Sequence, residues 1–227
     1  MEPLLFYRPG TCALAEMIVL EWLARPYRLC RVSKAETASP AYLAINPHGT
    51  VPAMRLGNLV LFENGALLAH LADTHPGAAL APAAGSIERA ILNQWLSWLD
   101  SGYHVSHYPI FKAERFLDDP ASHAALGDKA KQRVAQHLRF LDTHLAGKDF
   151  FMLGKRTVLD AYFVAIGRWS RRFHDYPSLC PNVDLYLLRM DQDPGVAMAK
   201  AIEGGEAPPL PQGHCRGHVG LLDSLRV

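Results

Sequence analysis

Residues 51–65, VPAMRLGNLVLFENG, decide the fold class of the first part of this chain. Two runs of strand-forming residues, 53–56 and 59–62, flank the dipeptide Gly57-Asn58, and this combination is typical of a tight β-hairpin. The Val51-Pro52 step before the hairpin is predicted to be a turn, because proline fixes φ and lacks a backbone N–H. The hairpin therefore indicates an antiparallel pair of strands entered through a proline turn.

The segment before the hairpin reads strand, helix, strand. Leu4–Tyr7 is a short apolar run, residues 14–22 carry apolar side chains at helical spacing, and residues 27–32 alternate. A βαβ unit makes its two strands parallel, whereas the hairpin adds antiparallel pairs, so we expect a mixed sheet. A helix that begins at Glu63-Asn64 would complete a small α/β domain, which we place at residues 1–77.

The remainder of the chain indicates helices. Residues 78–85 are rich in Ala, Pro and Gly and read as a linker, and residues 86–227 are predicted to form an all-helical domain. Thr157 and Asp160 have the spacing of a capping box, in which each side chain satisfies a free backbone N–H at the start of a helix. Residues 204–217, rich in Pro and Gly, are predicted to form a loose tail.

Composition excludes several classes of function. The chain has 227 residues, 49% of them hydrophobic, and a formal net charge of +1, which argues against a nucleic-acid or polybasic membrane surface. No apolar run approaches the ~20 residues of a membrane span, and the start of the chain lacks the basic region of a secretory signal. The four cysteines form no C-x-x-C pair, so we expect free thiols and a cytoplasmic protein. The motif His214-Cys215-x-x-His218 lacks a fourth ligand and regular spacing, so we predict no metal site.

Five strings, in order along the chain, resemble the cytosolic glutathione transferases, specifically the bacterial beta class. They are FYRPGTCALA from residue 6, IVLEW from 18, YLAINPHGTVPAM from 42, ENGALLAHLAD from 63 and TVLDAYF from 157. The resemblance implies a thioredoxin-like α/β domain followed by an all-α domain, with glutathione as co-substrate, no other cofactor, a role in detoxification, and a homodimer. The family dimerises through the helices that correspond to residues 64–75 and 87–99.

The resemblance assigns glutathione-binding roles to four residues around the hairpin. The Val51-Pro52 bond is cis in the family, so the backbone of Val51 would pair with the cysteinyl part of glutathione as an added strand. Glu63 and Asn64 stand where the family holds the γ-glutamyl group at a helix N-terminus, which suits a carboxylate. Asn64 departs from the family's Gly or Ser, and it could simply be a helix cap.

Cys12 and His104 are the catalytic candidates. A thiol at a helix N-terminus is expected to have a lowered pKa, and beta-class members place a cysteine here, close to the glutathione sulfur. Thr11 is the alternative donor to that sulfur. His104 aligns with a site histidine that could hydrogen-bond the bound thiolate, with His107 as the alternative on the same helix. The family lysine that follows the histidine is replaced by Val105.

The remaining candidates line the expected substrate cleft. Lys34 lies in the loop where the family holds the glycyl carboxylate. Tyr108, Phe111 and Trp169, together with Phe116 and Phe173, are candidates for the apolar pocket of the second substrate, although aromatic residues at helical spacing also occur in cores.

Three functions remain open from the sequence. The first is a transferase that activates the glutathione thiol for attack on small hydrophobic electrophiles. The second is a glutathione-dependent thiol–disulfide oxidoreductase or dehalogenase in which Cys12 takes part covalently. The third is a non-catalytic glutathione-binding stress protein, which the residues Asn64 and Val105 keep open.

Overall fold

A computed structural model describes residues 2–205 and 214–225. The residues 206–213 of the predicted loose tail lie outside the described part. The strands are β1 Leu4–Tyr7, β2 Tyr27–Arg31, β3 Ala53–Leu56, β4 Leu59–Phe62 and β5 Cys215–His218. The helices of the first domain are α1 Leu14–Leu23, α2 Pro40–Leu43 and α3 Asn64–Thr74. The predicted strand and helix order of the first domain is therefore confirmed.

The five strands form one mixed sheet in the order β4-β3-β1-β2-β5. β1 is parallel to β2 across the α1 crossover, and β3 is antiparallel to both β1 and β4. Helix α1 is buried on nearly every side, because it packs against the sheet on one side and against the helices Val158–Gly167 and Pro194–Gly204 of the second domain on the other. This sandwiched helix fixes the loop before it, residues 8–13, against the helical domain.

The second domain is built from helices. They are α4 Ile87–Trp98, α5 Tyr108–Phe111, α6 His123–Leu145, α7 Val158–Gly167, α8 Tyr176–Leu179, α9 Pro181–Met190 and α10 Pro194–Gly204. The short helix α11, Leu221–Ser224, follows β5 and packs against α2 and β2 of the first domain. The helix predicted to carry both His104 and His107 is interrupted: α4 ends at Trp98, and Leu99–His104 continues as a π-helical segment. Such segments rotate the side chains that follow and often occur at functional sites. No described helix has the length and apolar character needed to span a membrane.

The capping box at the start of α7 is confirmed. The backbone N–H of Thr157 donates to Oδ2 of Asp160 at 2.6 Å, and Oδ1 of Asp160 accepts from the Phe151 N–H at 2.7 Å and the Tyr186 hydroxyl at 2.6 Å. All of α7 is buried. The cap therefore anchors the central helix of the second domain.

The prediction of an all-helical region over residues 86–227 is wrong at its end. β5 lies parallel to β2 and returns to the first domain, with the Tyr27 N–H bonded to the His214 carbonyl at 3.0 Å. Its sequence, CRGH, has no alternating apolar pattern. The strand forms because the open edge of β2 offers unpaired backbone groups, which no local signal at residues 215–218 reveals.

Candidate functional site

Two cavities meet between the first domain and the π-helical segment. The larger has a volume of about 670 Å³ and the smaller about 310 Å³. Both are lined by Cys12, Val51, His104 and Tyr108. The structure thus brings the two catalytic candidates and the proline turn to one place.

The Val51-Pro52 peptide bond is cis. The loop before it is held by the Tyr42 hydroxyl and the Asn46 amide, which donate to the Thr50 carbonyl at 2.7 and 2.8 Å. The Val51 carbonyl accepts from the Cys12 thiol at 3.6 Å, and in the described part of the chain no group bonds the Val51 N–H. One backbone donor therefore remains available to an extended ligand.

Helix α3 presents its N-terminus to the smaller cavity, which Pro52, Glu63, Asn64 and Asp100 also line. Glu63 is exposed and caps the helix with φ 74° and ψ 123°, a left-handed conformation that costs a non-glycine residue roughly 1–2 kcal/mol. Strained residues of this kind cluster at binding sites. The backbone of Glu63 is thus consistent with a ligand-binding role.

The Asn64 side chain differs from the expectation that it holds a ligand. Its amide nitrogen donates to the Cys12 carbonyl at 3.2 Å and to the Glu16 carboxyl at 3.1 Å, and the residue is 4% exposed. Burial raises the pKa of Glu16 well above its usual value. Asn64 therefore ties α3 to α1, and its backbone is the part left to bind a ligand.

The expectation that the pKa of Cys12 is lowered is wrong. Burial raises this pKa well above the ordinary thiol value, and the nearby Glu16 carboxyl raises it further. Cys12 also precedes the helix cap, because α1 begins at Leu14 with Ala13 as its cap. The Cys12 side chain is consequently a protonated thiol at neutral pH and a hydrogen-bond donor.

A chain of hydrogen bonds ends at His104. The Tyr162 hydroxyl donates to Oδ1 of Asp100, and the same hydroxyl lies 2.8 Å from Nδ1 of His104. Because the single hydroxyl proton goes to the carboxylate, the Tyr162 oxygen accepts from Nδ1–H. Nε2 of His104 then carries the lone pair, and among the described residues nothing bonds it. Burial lowers the pKa of His104 to about 4, so the ring is neutral at pH 7.

The two alternative residues are already engaged. His107 is 1% exposed, and its Nδ1 and Nε2 lie 2.9 Å from the Tyr103 carbonyl and 2.7 Å from the Ser170 hydroxyl. The Thr11 hydroxyl donates to the Arg8 carbonyl at 2.6 Å. Of the two histidines, only His104 keeps a ring nitrogen for a ligand.

The larger cavity brings together three of the aromatic residues expected for the second substrate and Lys34, which is expected at the glycyl carboxylate of glutathione. Lys34, Tyr108, Phe111 and Trp169 line it, and the rings of Phe111 and Trp169 meet edge to face with centroids 6.2 Å apart. Phe116 and Phe173 are not among its lining residues. Val105 lines the smaller cavity and is 42% exposed.

An ion pair that the sequence does not reveal clamps the Cys12 loop. The Arg168 guanidinium makes two hydrogen bonds to the Glu203 carboxylate at 2.6 and 2.7 Å, and Oε1 of Glu203 also accepts from the Gly10 N–H at 3.0 Å. Arg168 further donates to the Thr11 carbonyl at 3.2 Å. Two helices of the second domain therefore hold the loop of the first.

The motif His214-Cys215-x-x-His218 forms part of the attachment of β5 to the first domain. Nε2 of His218 lies 2.8 Å from the Tyr7 hydroxyl, within the β5 attachment. Within residues 2–205 and 214–225, no group of three or more His, Cys, Asp or Glu side chains is arranged to hold a metal ion. The four cysteines are free and buried.

The fold and the site together define a thioredoxin-like thiol-binding protein with a helical domain that completes the cleft. The family model described as "Glutathione S-transferase, N-terminal domain" matches residues 16–79. A glutathione S-transferase of Xanthomonas campestris pv. campestris is 30% identical, over 88% of this chain and 98% of that relative. The chain therefore belongs to the glutathione S-transferase family.

Solved structures agree with this membership. A sphingomonad glutathione S-transferase complexed with glutathione has a TM-score of 0.79 at 33% identity, covering 88% of this chain and 98% of that one. A bacterial beta-class enzyme of Sphingomonas chungbukensis has a TM-score of 0.79 at 34% identity with the same coverage. The resemblance to the beta class and the two-domain fold expected from it are confirmed.

Proposed function

We propose that this glutathione transferase binds glutathione across both cavities. The γ-glutamyl group fits the smaller one, where the free N–H groups at the start of α3 suit its carboxylate and the Glu63 and Asp100 carboxylates suit its ammonium. The cysteinyl backbone pairs with the Val51 N–H beside Pro52. The glycyl carboxylate then points into the larger cavity toward Lys34.

In this pose His104 is the residue that takes the thiol proton. The observation that supports the assignment is the chain from Asp100 through the Tyr162 hydroxyl to Nδ1, because it fixes the tautomer with the Nε2 lone pair free. A neutral imidazole held this way can accept the thiol proton at Nε2. Asp100 and Tyr162 act as positioning residues.

The positions proposed for the glutathione thiol, His104 and Cys12 support the following reaction. The S–H proton of glutathione passes to Nε2 of His104, and the thiolate attacks the electrophilic carbon of a small apolar substrate held by Tyr108, Phe111 and Trp169. A C–S bond forms, and the leaving group departs with its electron pair. Cys12 stays protonated, and its S–H turns from the Val51 carbonyl to donate to the glutathione thiolate.

The variant Tyr162→Phe tests the positioning of His104. Without the hydroxyl, the ring proton of His104 is no longer held on Nδ1. We therefore expect kcat to fall about tenfold or more while KM for glutathione changes less than about twofold. The control is Tyr27→Phe, which removes an equally buried hydroxyl bonded to Glu21 in the first domain. Equal kcat values for both variants, or a rise in KM alone, would contradict the role of His104.

A second candidate is covalent thiol chemistry at Cys12, which its place on both cavities favours. Cys12→Ser separates the two. Loss of thiol–disulfide exchange with transfer intact would show a dual role, whereas no effect on either reaction would remove Cys12 from the mechanism. A non-catalytic binding protein would retain immobilised glutathione and turn over no electrophile.

We also propose that the chain forms a homodimer, works in detoxification and resides in the cytoplasm. Support for the dimer comes from Ile87 and Ile91 on α4, which are 70% and 42% exposed and belong to the helix predicted to form the interface. Light scattering after gel filtration tests the dimer, with Ile91→Lys expected to shift the mass toward the monomer and Leu185→Lys, at an exposed position on α9, as the control.

A further inference from the structure

The larger cavity carries an excess of positive charge. Its wall includes the cationic side chains of Arg8, Lys34, Lys112, Arg115 and Arg172, and no Asp or Glu of the described residues lines it. These side chains come from four separate segments of both domains, whereas the formal charge of the whole chain is only +1. The tertiary fold therefore concentrates positive charge in this cavity.

Four of the cations in the larger cavity lie close enough to interact electrostatically. Burial lowers the pKa of Lys112, and the charges of Arg115, Arg8 and Lys34 lower it further, while the exposed Glu114 opposes them. Each of these groups must lie close enough to Lys112 to repel its ammonium. These four cations thus form one electrostatic unit, and a bound anion would reduce their mutual repulsion.

The contrast with neighbouring arginines indicates that the charges are kept for a ligand. On the turn after α7, Arg168 is paired with Glu203 and Arg171 with Asp184. Arg172 on the same turn, like the other four cations, forms no ion pair with an acidic residue that the structure describes.

Glutathione alone does not use this charge. In the proposed pose its γ-glutamyl carboxylate goes to α3, so only the glycyl carboxylate enters the larger cavity, where Lys34 and Arg8 at the first-domain side suffice. Lys112, Arg115 and Arg172 remain, next to the aromatic wall: Nζ of Lys112 lies 5.8 Å from the centroid of the Tyr108 ring. Aromatic surface and positive charge therefore adjoin at the place of the second substrate.

We propose that the second substrate is an aromatic electrophile that carries an acidic group, a carboxylate or a sulfonate. Its ring lies against Tyr108, Phe111 and Trp169, and its anion lies against Lys112, Arg115 and Arg172. The inference rests on the proposed glutathione transfer. The acidic group is a recognition element: the thiolate forms the C–S bond at the electrophilic carbon, the leaving group departs with its electron pair, and the anion is retained in the product.

A matched substrate pair tests the proposal. The carboxylate 4-chloro-3,5-dinitrobenzoate and its methyl ester share the leaving group and both nitro groups but differ in charge. Each kcat/KM is divided by the rate constant of the uncatalysed reaction with glutathione, because the ester withdraws electrons more strongly than the carboxylate. We expect this normalised value for the carboxylate to exceed that for the ester about tenfold at low salt, and the ratio to fall as salt screens the cations. A ratio of one or below overturns the proposal.

Variants locate the effect. We expect Lys112→Gln/Arg115→Gln to lower kcat/KM for the carboxylate about tenfold and that for the ester less than about twofold. The control is Arg133→Gln, an exposed arginine on α6 that does not line the cavity. Arg172→Gln, on a separate segment, repeats the test should the double variant fold poorly. An equal loss for both substrates contradicts the proposal.

A binding measurement separates this inference from the proposed function. Calorimetric titration of the glutathione-saturated enzyme with 3,5-dinitrobenzoate and 3,5-dinitrobenzamide needs no leaving group. Tighter binding of the benzoate, lost in the double variant, supports the anion site even if neither chloro compound is turned over, an outcome that would refute the transferase assignment alone. Equal affinity for benzoate and benzamide refutes the anion site.

Discussion

Replacing Glu203 by glutamine should loosen the clamp that joins the two domains at the active site. The Glu203 carboxylate is 7% exposed, accepts two hydrogen bonds from Arg168 and one from the Gly10 N–H, and closes the loop that carries Cys12. The glutamine keeps the size of the side chain but removes its charge, so the Arg168 guanidinium is left without a counter-ion in a largely buried position.

The expected cost follows from burial. Breaking a buried ion pair on one side costs about 3–5 kcal/mol of folding free energy. The Arg168 side chain keeps 23% of its surface in water, which screens the remaining charge, so we expect a loss of about 2–3 kcal/mol in the free energy of unfolding. Because Gly10 loses its charged partner as well, KM for glutathione should rise several-fold.

Urea denaturation monitored by circular dichroism measures the free energy of unfolding. Steady-state kinetics measures KM for glutathione. The matched control is Asp191→Asn, which removes the partner of Lys200 from a pair whose side chains are 30% and 40% exposed, and should cost less than about 1 kcal/mol. Equal costs for the two variants would refute the reasoning about the clamp. A stability loss with unchanged KM would show that the pair supports the fold without positioning the loop.

Three further predictions concern single groups. Asp160→Asn should cost about 3 kcal/mol in urea denaturation, because the carboxylate closes the cap of α7 and accepts from Phe151 and Tyr186; a cost below 1 kcal/mol would contradict that. Glu63→Gly relieves a left-handed φ, so stability should be kept or raised while glutathione affinity by calorimetry falls, and unchanged affinity would remove Glu63 from the site. Burial lowers the pKa values of His104 and His107 to about 4, so between pH 6.5 and 4 the unfolded chain binds more protons at these two residues. Their contribution to the free energy of unfolding should therefore fall as the pH is lowered through this window, which urea denaturation at a series of pH values measures.

Local signals predicted the fold of the first domain well. The hairpin follows from Gly57-Asn58 between two strand-forming runs, and the α7 cap follows from Thr157 and Asp160, because both features need only residues within a few positions of one another. The interruption of the helix after Trp98 and the return of β5 depend on packing partners far along the chain, which no local pattern contains.

The sequence predicted which residues line the site, but it did not predict their pKa values or their hydrogen-bond partners. Cys12 and His104 do line a common cleft, yet the raised pKa of the thiol comes from burial and Glu16, which tertiary packing brings together. The hydrogen bond between Asp100 and Tyr162 could not be predicted, because the two residues are 62 positions apart and meet only in the folded chain. The one available signal was Tyr162 itself, a tyrosine on a largely apolar helix, because a buried hydroxyl needs a hydrogen-bond partner.

The attachment of β5 to β2 has a consequence for synthesis on the ribosome. Tyr7 and His218 are joined across 211 residues, so the sheet of the first domain is completed only after the helical domain has been translated. While the helical domain is still being translated, the edge of β2 stays open to other nascent chains.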